Sequence, residues 1–284
     1  MNSGNQHDHQ KNKHQTDHSG INTGLTRLNF ATGGWKGGDL IILASRPGMG
    51  KTAMMLFFAK TAAAAGYPVC IYSLELSDIA LTRRLILSGS DISEDTFDSR
   101  KMSWLEWQAF TREIQNIANL PIHIDDSPEV SMNYIWAESK VMKMKGKCAM
   151  IFVDYLQLID CGPDQKDRTG ERRRYAEAAR QAKLISKNLK VPLILLSQLP
   201  RNPGQREDKK PLLSDLGIYG AIERAADVVA FLYRPAYYGI ITDASGKSLE
   251  GYGEIIIAKN RDGGIHNVPF CHNKSMTKIF DYNP

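Results

Sequence analysis

The sequence predicts an α/β fold, a mainly parallel twisted sheet flanked by helices, on three observations. Short segments apolar on both faces recur at intervals, as strands buried on both sides require. Patterns of helical period lie between them, the alternation of a parallel sheet covered by helices. The first of these segments runs through a glycine-containing loop into an apolar helix. The 284 residues are 42% hydrophobic and 24% charged, with 12 Pro and 23 Gly, so the chain can bury a large core. Collagen, coiled coil and wholesale disorder are excluded by that composition.

Residues 1–20 are rich in His, Gln, Asn, Lys and Asp and have almost nothing to bury, which predicts a disordered polar tail. His7, His9, His14 and His18 within it could form a metal tract, but their spacing is irregular and a plain solvated tail is the simpler reading. One domain is expected over residues 21–284, with no internal repeat and no linker long enough to divide it. Its predicted strands are Leu40–Ala44, Val69–Leu74, Met150–Val153, Leu193–Ser197, Val228–Tyr233 and Glu254–Ala258. Between the second and third, Ser103 and Glu106 form a capping-box pair, and behind them Trp107, Phe110, Ile114 and Ile117 recur at helical spacing as a core stripe. Ahead of the fourth, Arg172, Arg173 and Arg174 open a helix whose apolar positions are Tyr175, Ala178, Ala182 and Ile185.

Other classes fall away on the same reading. The longest apolar stretch, Ala53–Ala65, is broken by Lys60 and is short of the roughly 20 residues a membrane span needs. The first 20 residues contain no apolar run of a secretory signal, and Cys70, Cys148, Cys161 and Cys271 form no C-x-x-C. A reduced, cytoplasmic setting is the expectation. The net charge of +5 permits nucleic-acid binding where the positive charge is clustered.

The stretch from Leu40 to Thr52 is an apolar strand, the loop Ser45-Arg46-Pro47-Gly48-Met49-Gly50 and the Lys51-Thr52 start of a helix. This is the context of a phosphate-binding loop. Backbone N–H groups and a helix N-terminus cradle phosphate oxygens, Lys51 reaches the β- and γ-phosphates, and the Thr52 hydroxyl can ligate Mg²⁺. Ser45 stands where the strict pattern has its first Gly, and it is small enough to be tolerated. Hydrolysis also needs a carboxylate for the metal and a group that orients water. Met150-Ile-Phe-Val-Asp154 is an apolar strand ending in a carboxylate, so Asp154 would serve Mg²⁺ directly or through a water. Tyr155 follows it, so the water-activating carboxylate must come from another strand. Glu75, at the carboxyl end of Ile71-Tyr-Ser-Leu-Glu-Leu76, supplies it, because ligands of open α/β sheets sit at that edge. A Glu buried there would be costly without a role. Gln198, ending a third strand, can bond a γ-phosphate or a water without carrying charge.

Five motifs now stand in order: Ser45-Arg-Pro-Gly-Met-Gly-Lys-Thr52, Tyr72-Ser-Leu-Glu-Leu-Ser77, Val153-Asp-Tyr-Leu-Gln-Leu158, Leu196-Ser-Gln-Leu-Pro-Arg201 and Glu254-Ile-Ile-Ile-Ala-Lys-Asn-Arg-Asp-Gly263. In that order and spacing they resemble the RecA-like ATPase domain of DnaB-type replicative helicases, from about Gly24 to Gly263. The resemblance implies a RecA-like fold with a C-terminal β-hairpin region. It also implies ATP and Mg²⁺ as ligands, and a hexameric ring with ATP sites between subunits that moves on single-stranded DNA. Carried over by position, Lys51 and Thr52 bind phosphate and Mg²⁺, Glu75 is the base, Asp154 serves the metal and Gln198 senses the γ-phosphate. Lys259 and Arg261 become a basic finger for the neighbour's nucleotide. Independently, the two alternate along a strand and share one face, and a cation given in trans would stabilise a transferring phosphoryl group. An exposed, Lys-studded edge strand is the plain alternative.

Two departures from the family are visible. Its helicases carry an amino-terminal domain and a linker helix that engage primase, whereas a short polar tail stands here, so primase coupling by that route is not expected. Where the family has Leu-Arg-Glu-Ser-Gly before Ala-Ile-Glu, this chain reads Leu216-Gly-Ile-Tyr-Gly-Ala-Ile-Glu223. Gly220 is kept, but Gly217 and Ile218 replace the Arg and Glu of a loop implicated in gripping DNA. Two basic stretches could compensate. Lys166–Arg174 has five basic and two acidic residues, and Arg201–Lys210, with Arg201, Arg206, Lys209 and Lys210, has four basic and two acidic. An Arg triplet opening a helix opposes the helix dipole and is better explained by an anionic partner. Solvated flexible loops are the alternative, and Tyr219 could add a stacking surface. The leading functional expectation is an ATP-dependent DNA helicase or translocase. An ATP-switched loader, regulator or recombination accessory is the main alternative, and a small-molecule kinase a third.

Overall fold

Neighbouring strands of the central sheet carry nearly uninterrupted Ile, Leu and Val, and in the computed structural model both faces of that sheet are covered. The structure describes residues 19–90, 92–99, 101–128, 130–158, 168–200 and 206–283. Residues 1–18 with the four histidines, Cys161, Lys166 and Arg201 lie outside the described residues.

In chain order the elements are α1 (Thr26–Thr32), β1 (Leu40–Ser45), α2 (Lys51–Ala64), β2 (Val69–Ser73), α3 (Asp78–Gly89), α4 (Glu94–Asp98) and α5 (Trp104–Ala118). Then come β3 (Ile122–Asp125), α6 (Met132–Met144), β4 (Met150–Asp154), α7 (Arg168–Leu189), β5 (Leu193–Gln198) and α8 (Gly220–Ala225). The chain ends with β6 (Val228–Tyr233), β7 (Tyr252–Asn260), β8 (His266–His272) and β9 (Ile279–Asp281). Short 3-10 turns occupy Leu156–Leu158, Leu213–Tyr219 and Pro235–Tyr238.

The nine strands form one sheet in the order β3-β2-β4-β5-β1-β6-β7-β8-β9. From β3 to β6 neighbours are parallel, and from β6 to β9 antiparallel. Side chains alternate between two cores, as the period of two along a strand dictates. Ile41, Leu43, Phe152, Ile194 and Leu196 pack with α2, α3 and α5 on one face. Leu40, Ile42, Val153, Leu193 and Leu195 pack with α6, α7 and α8 on the other. Among the described residues no helix is long and apolar enough to cross a membrane.

The predicted α/β sheet is borne out, with three strands added. β3 is four residues long and only half-buried, β9 is three residues long, and β8 contains Pro269, which argues against a strand when read in sequence. The α5 capping box is present, with Ser103 N–H donating to Glu106 and Glu106 N–H to Ser103. Its apolar stripe is a correction, because Phe110 and Ile117 are buried while Trp107 and Ile114 are 50% and 40% exposed. The physical reason is that α5 lies outside α3 rather than on the sheet, so only a narrow row reaches the core. That row includes Glu113, whose carboxylate accepts a bond of 2.7 Å from Lys60, the cation interrupting the apolar run of α2. A second correction concerns the Arg triplet. α7 begins at Arg168, so Arg172, Arg173 and Arg174 lie one turn inside it, and its first turn carries Glu171.

Candidate active site

Because β1, β2, β4, β5 and β6 are parallel, their carboxyl ends share one edge of the sheet, and each delivers a polar side chain there. The register sets Ser45 beside Gln198 and Ser73 beside Asp154. A cavity of about 920 Å³ opens at that edge, lined by Ser45 to Thr52, Glu75, Arg84, Gln198, Arg234 and the turn before β9.

The loop after β1 is built to bring backbone close to a ligand. Gly48 and Gly50 have φ of +76° and +89°, and a Cβ on them would lie 2.6 Å from Tyr237 Oη and 2.8 Å from Met276 Cε respectively. Gly50 caps α2 with no side-chain bond to the first N–H groups, which leaves these amides to an anion. Lys51 Nζ rests 4.9 Å from the centre of the Tyr155 ring.

Thr52 Oγ1 donates to Asp154 Oδ2 at 2.8 Å. Asp154 is fully buried, and its Oδ1 has no hydrogen-bond partner. Burial pushes its carboxyl above the ordinary range, Lys51 and the Thr52 hydroxyl oppose the rise, and Glu75 adds to it. A buried carboxylate with one oxygen on Thr52 and the other unpaired suits a hard cation. Among the described residues no group of three or more His, Cys, Asp or Glu side chains could hold a metal alone. The donor set fits Mg²⁺, which typically takes one or two protein ligands and completes its shell with phosphates and water.

The position of Glu75 is a correction. β2 stops at Ser73, and Glu75 stands on the bend beyond it, exposed rather than buried. Its location comes from that bend. Ser73 Oγ donates to Leu76 O at 2.6 Å, and Leu74 N–H donates to Asp154 O at 2.7 Å, which moors the segment to β4. The burial cost assigned to it from sequence does not arise, but it still lines the cavity. Gln198 is fixed by its backbone, whose carbonyl accepts from Gln157 Nε2 and whose N–H donates to Gln157 Oε1.

Arg234, directly after β6, was missed in the sequence although it follows a buried apolar strand at the same edge that Asp154 and Gln198 occupy at the ends of theirs. It lines the cavity, burial pulls its pKa down, and its Nε–H donates to His272 Nε2 at 3.1 Å. His272 must then carry its proton on Nδ1, which lies 2.7 Å from Asn273 O. Tyr237 and Met276, which cover the loop glycines, were also missed, since neither stands in a recognisable pattern.

Lys259 and Arg261 do share one face, but at the opposite edge of the sheet. Lys259 Nζ donates to Glu223 O, Arg261 NH2 to Arg224 O, and Arg261 NH1 to Asp227 Oδ1 at 3.0 Å. Asp227 N–H bonds Leu40 O at the start of β1, so the pair lies a strand's length, roughly 17 Å, from the chain's own phosphate loop. β7 pairs with both β6 and β8, which excludes the edge-strand alternative.

The basic stretches are less free than the sequence implies. Arg206 is paired with Asp215, Lys210 Nζ lies 2.7 Å and 3.0 Å from the two oxygens of Glu254, and Lys209 offers its carbonyl to Arg46. Arg172 and Arg173 are exposed on α7, and Gly220 begins α8.

A RecA-like sheet with a phosphate loop after β1 and a carboxylate ending β4, two strands away, defines a P-loop nucleoside triphosphatase fold. Residues 20–281 match the family described as the DnaB-like helicase C terminal domain. The chain belongs to that family. It is 38% identical over 263 residues to the replicative DNA helicase DnaB of Geobacillus stearothermophilus, covering 92% of this chain and 56% of that protein. Identity to the replicative DNA helicase DnaC of Bacillus subtilis (strain 168) is 37%, over 93% of this chain and 57% of that protein. The chain thus spans a little over half the length of these curated relatives. Among solved structures, one described as an ATPase domain superposes with a TM-score of 0.86 at 32% identity, covering 95% of this chain and 94% of that one. The RadB recombinase, at 15% identity and a TM-score of 0.55 over 93% of this chain and 100% of that one, shares the fold.

Proposed function

We propose that this chain is the motor domain of a cytoplasmic, DnaB-type, ATP-dependent DNA helicase or translocase. It would hydrolyse ATP at the interfaces of a homo-oligomeric ring, taken as a hexamer, and move along single-stranded DNA during replication. The observation that carries the reading is the division of the machinery between two edges. Phosphate loop, Glu75 and Gln198 line one cavity, with Asp154 bonded to Thr52 of that loop, whereas Lys259 and Arg261 sit a strand's length away, so a second copy's cavity is the one they would serve.

In this reading the loop amides and Lys51 bind and orient the β- and γ-phosphates. Thr52 and Asp154 would hold Mg²⁺, which supplies positive charge against the phosphate oxygens. Glu75, reaching in from its exposed bend, orients water and accepts its proton, and Gln198 bonds the γ-phosphate or that water. Arg261, with Lys259, is given in trans to the transferring phosphoryl group. Arg172, Arg173, Arg174, Arg201, Arg206, Lys209, Lys210 and Gly220 are the candidate DNA-facing positions, tracking phosphates without reading bases. The pairing of Arg206 and Lys210 within the chain favours a second reading, an ATP-switched accessory that binds DNA or a partner without unwinding. Interaction with primase, named for a DnaB-like replicative helicase of known structure, extends the first reading to the assembled protein.

The test is ATP turnover with and without single-stranded DNA across a salt series, on material sized by light scattering, together with strand displacement from a forked duplex. Salt-sensitive stimulation in a ring with displacement supports the motor. Turnover indifferent to DNA removes it, and stimulation without displacement selects the accessory.

A further inference from the structure

Arg46 lies in the phosphate loop, between the last residue of β1 and Pro47, yet its guanidinium is spent on another part of the chain. The side chain is 4% exposed. Its NH1 donates to Lys209 O at 2.9 Å and to Tyr238 Oη at 3.0 Å, and its NH2 donates to Asp215 Oδ2 at 3.2 Å. Lys209 is held at φ +54° while it presents that carbonyl, a conformation an L-residue keeps only where its surroundings enforce it. On the other side of the contact, Asp215 Oδ2 also accepts from Arg206 NH2 and from Leu212 N–H, the latter at 3.1 Å. One carboxylate oxygen therefore ties together the phosphate loop, the basic stretch after β5 and the start of the 3-10 turn Leu213–Tyr219.

The segment beyond Asp215 contains a break in its helical geometry. Gly217, two residues on, departs from helical geometry with φ +53° and ψ −120°, and a Cβ there would meet nothing within 4 Å. Residues 206–216 are thus clamped at Arg46, and a glycine joint leads from the clamp to Gly220. A phosphate entering the loop must settle against the Ser45–Gly50 backbone. Arg46 belongs to that backbone, and a shift of its buried charge is resisted by Asp215, because separating the two would leave the guanidinium buried without its counter-charge.

We propose that Asp215, through Arg46, is the positioning residue by which nucleotide in the phosphate loop sets the arrangement of residues 206–220. The DNA half of this inference rests on the motor reading, since 206–220 includes candidate DNA-facing positions. The coupling of the loop to the segment does not rest on it.

The experiment is amide hydrogen exchange on the full chain, with and without the slowly hydrolysed analogue Mg-ATPγS, for wild type, Asp215→Asn and Asp215→Glu. In wild type the analogue changes exchange in both the phosphate loop and residues 206–220, by about threefold or more. In Asp215→Asn the phosphate-loop response remains and the response of 206–220 disappears, and Asp215→Glu recovers part of it. A wild-type segment that ignores the analogue, or an Asp215→Asn segment that responds as wild type does, overturns the proposal. Should Asp215→Asn fail to fold, Tyr238→Phe, which removes one Arg46 partner, is measured in its place and must weaken the response. The affinity for single-stranded DNA is then compared in ATPγS and in ADP. A segment that responds while neither state binds DNA leaves the relay standing and removes the motor. DNA affinity that depends on nucleotide in wild type and equally in Asp215→Asn removes the relay and leaves the motor.

Discussion

The two edges of the central sheet hold their charges differently. At the carboxyl edge, Asp154 is fully buried with one oxygen unpaired, and the first amides of α2 have no side-chain cap. At the opposite edge, Asp227 is saturated. Its Oδ2 accepts from Leu40 N–H and from Lys183 Nζ, and its Oδ1 accepts from Arg261. An edge with unsatisfied donors and acceptors is prepared for a ligand, and an edge that compensates its own charges is a store. On the proposed reading, the difference separates a receiving edge from a giving edge of one chemistry, a strand's length apart, so the chain does not bring the two together within itself.

The most severe break is Lys51→Ala, which strips the receiving edge. Turnover is expected to fall below detection with weakened nucleotide binding, measured by steady-state kinetics and calorimetry, and near-normal turnover removes the phosphate-loop assignment. Arg261→Ala acts at the giving edge, with an expected loss of about 10³-fold in kcat in the assembled protein. Mixed with Lys51→Ala, it should regain activity at interfaces that pair an intact loop with an intact finger. Failure to complement in mixed assemblies contradicts action in trans. Glu75→Gln keeps the cavity and removes the base, so kcat should fall about 10²-fold or more while nucleotide affinity is retained. Unimpaired hydrolysis would show that the exposed Glu75 is a bystander.

The smallest expected effect probes the receiving edge at His272, whose Nε2 accepts from Arg234. Burial lowers its pKa from the ordinary 6.5, Asn273 O opposes the fall and Arg234 adds to it. The folded state therefore resists protonation that the unfolded chain accepts. Stability from the neutral ring is complete above the unfolded value and is lost as pH falls below it towards the folded one. Melting temperature should drop between about pH 7.5 and about pH 5.5, and His272→Gln should flatten part of that slope. An unchanged slope in the variant assigns the acid sensitivity elsewhere.

The receiving edge was legible in the sequence almost residue by residue, because strands buried on both faces are continuous apolar runs and the polar residue that ends each one is conspicuous. Ser45 to Thr52, Asp154 and Gln198 stand out for that reason, and Arg234 carried the same signal unused. Beyond the parallel strands the signal weakens. β8 alternates and contains Pro269, β9 is three residues long, and Met276 over Gly50 belongs to a turn with no sequence pattern. Trp107 and Ile114 show the converse. Helical period identifies a stripe, but whether it is covered depends on which layer the helix occupies, and α5 is outermost. The pairing of Arg206 and Lys210 was equally invisible, since their partners Asp215 and Glu254 are brought to them only by the folded chain.

The shortness of β3 and β9 has its own consequence. They are the two outermost strands of the sheet, four and three residues long, so the sheet offers little backbone on which another chain could continue it. A wide sheet of this kind invites runaway strand addition and amyloid-like stacking when its borders are long and flat, and here neither border is. Association of copies is thereby turned towards helices, turns and side chains, contacts that can be made and released repeatedly without unravelling the sheet.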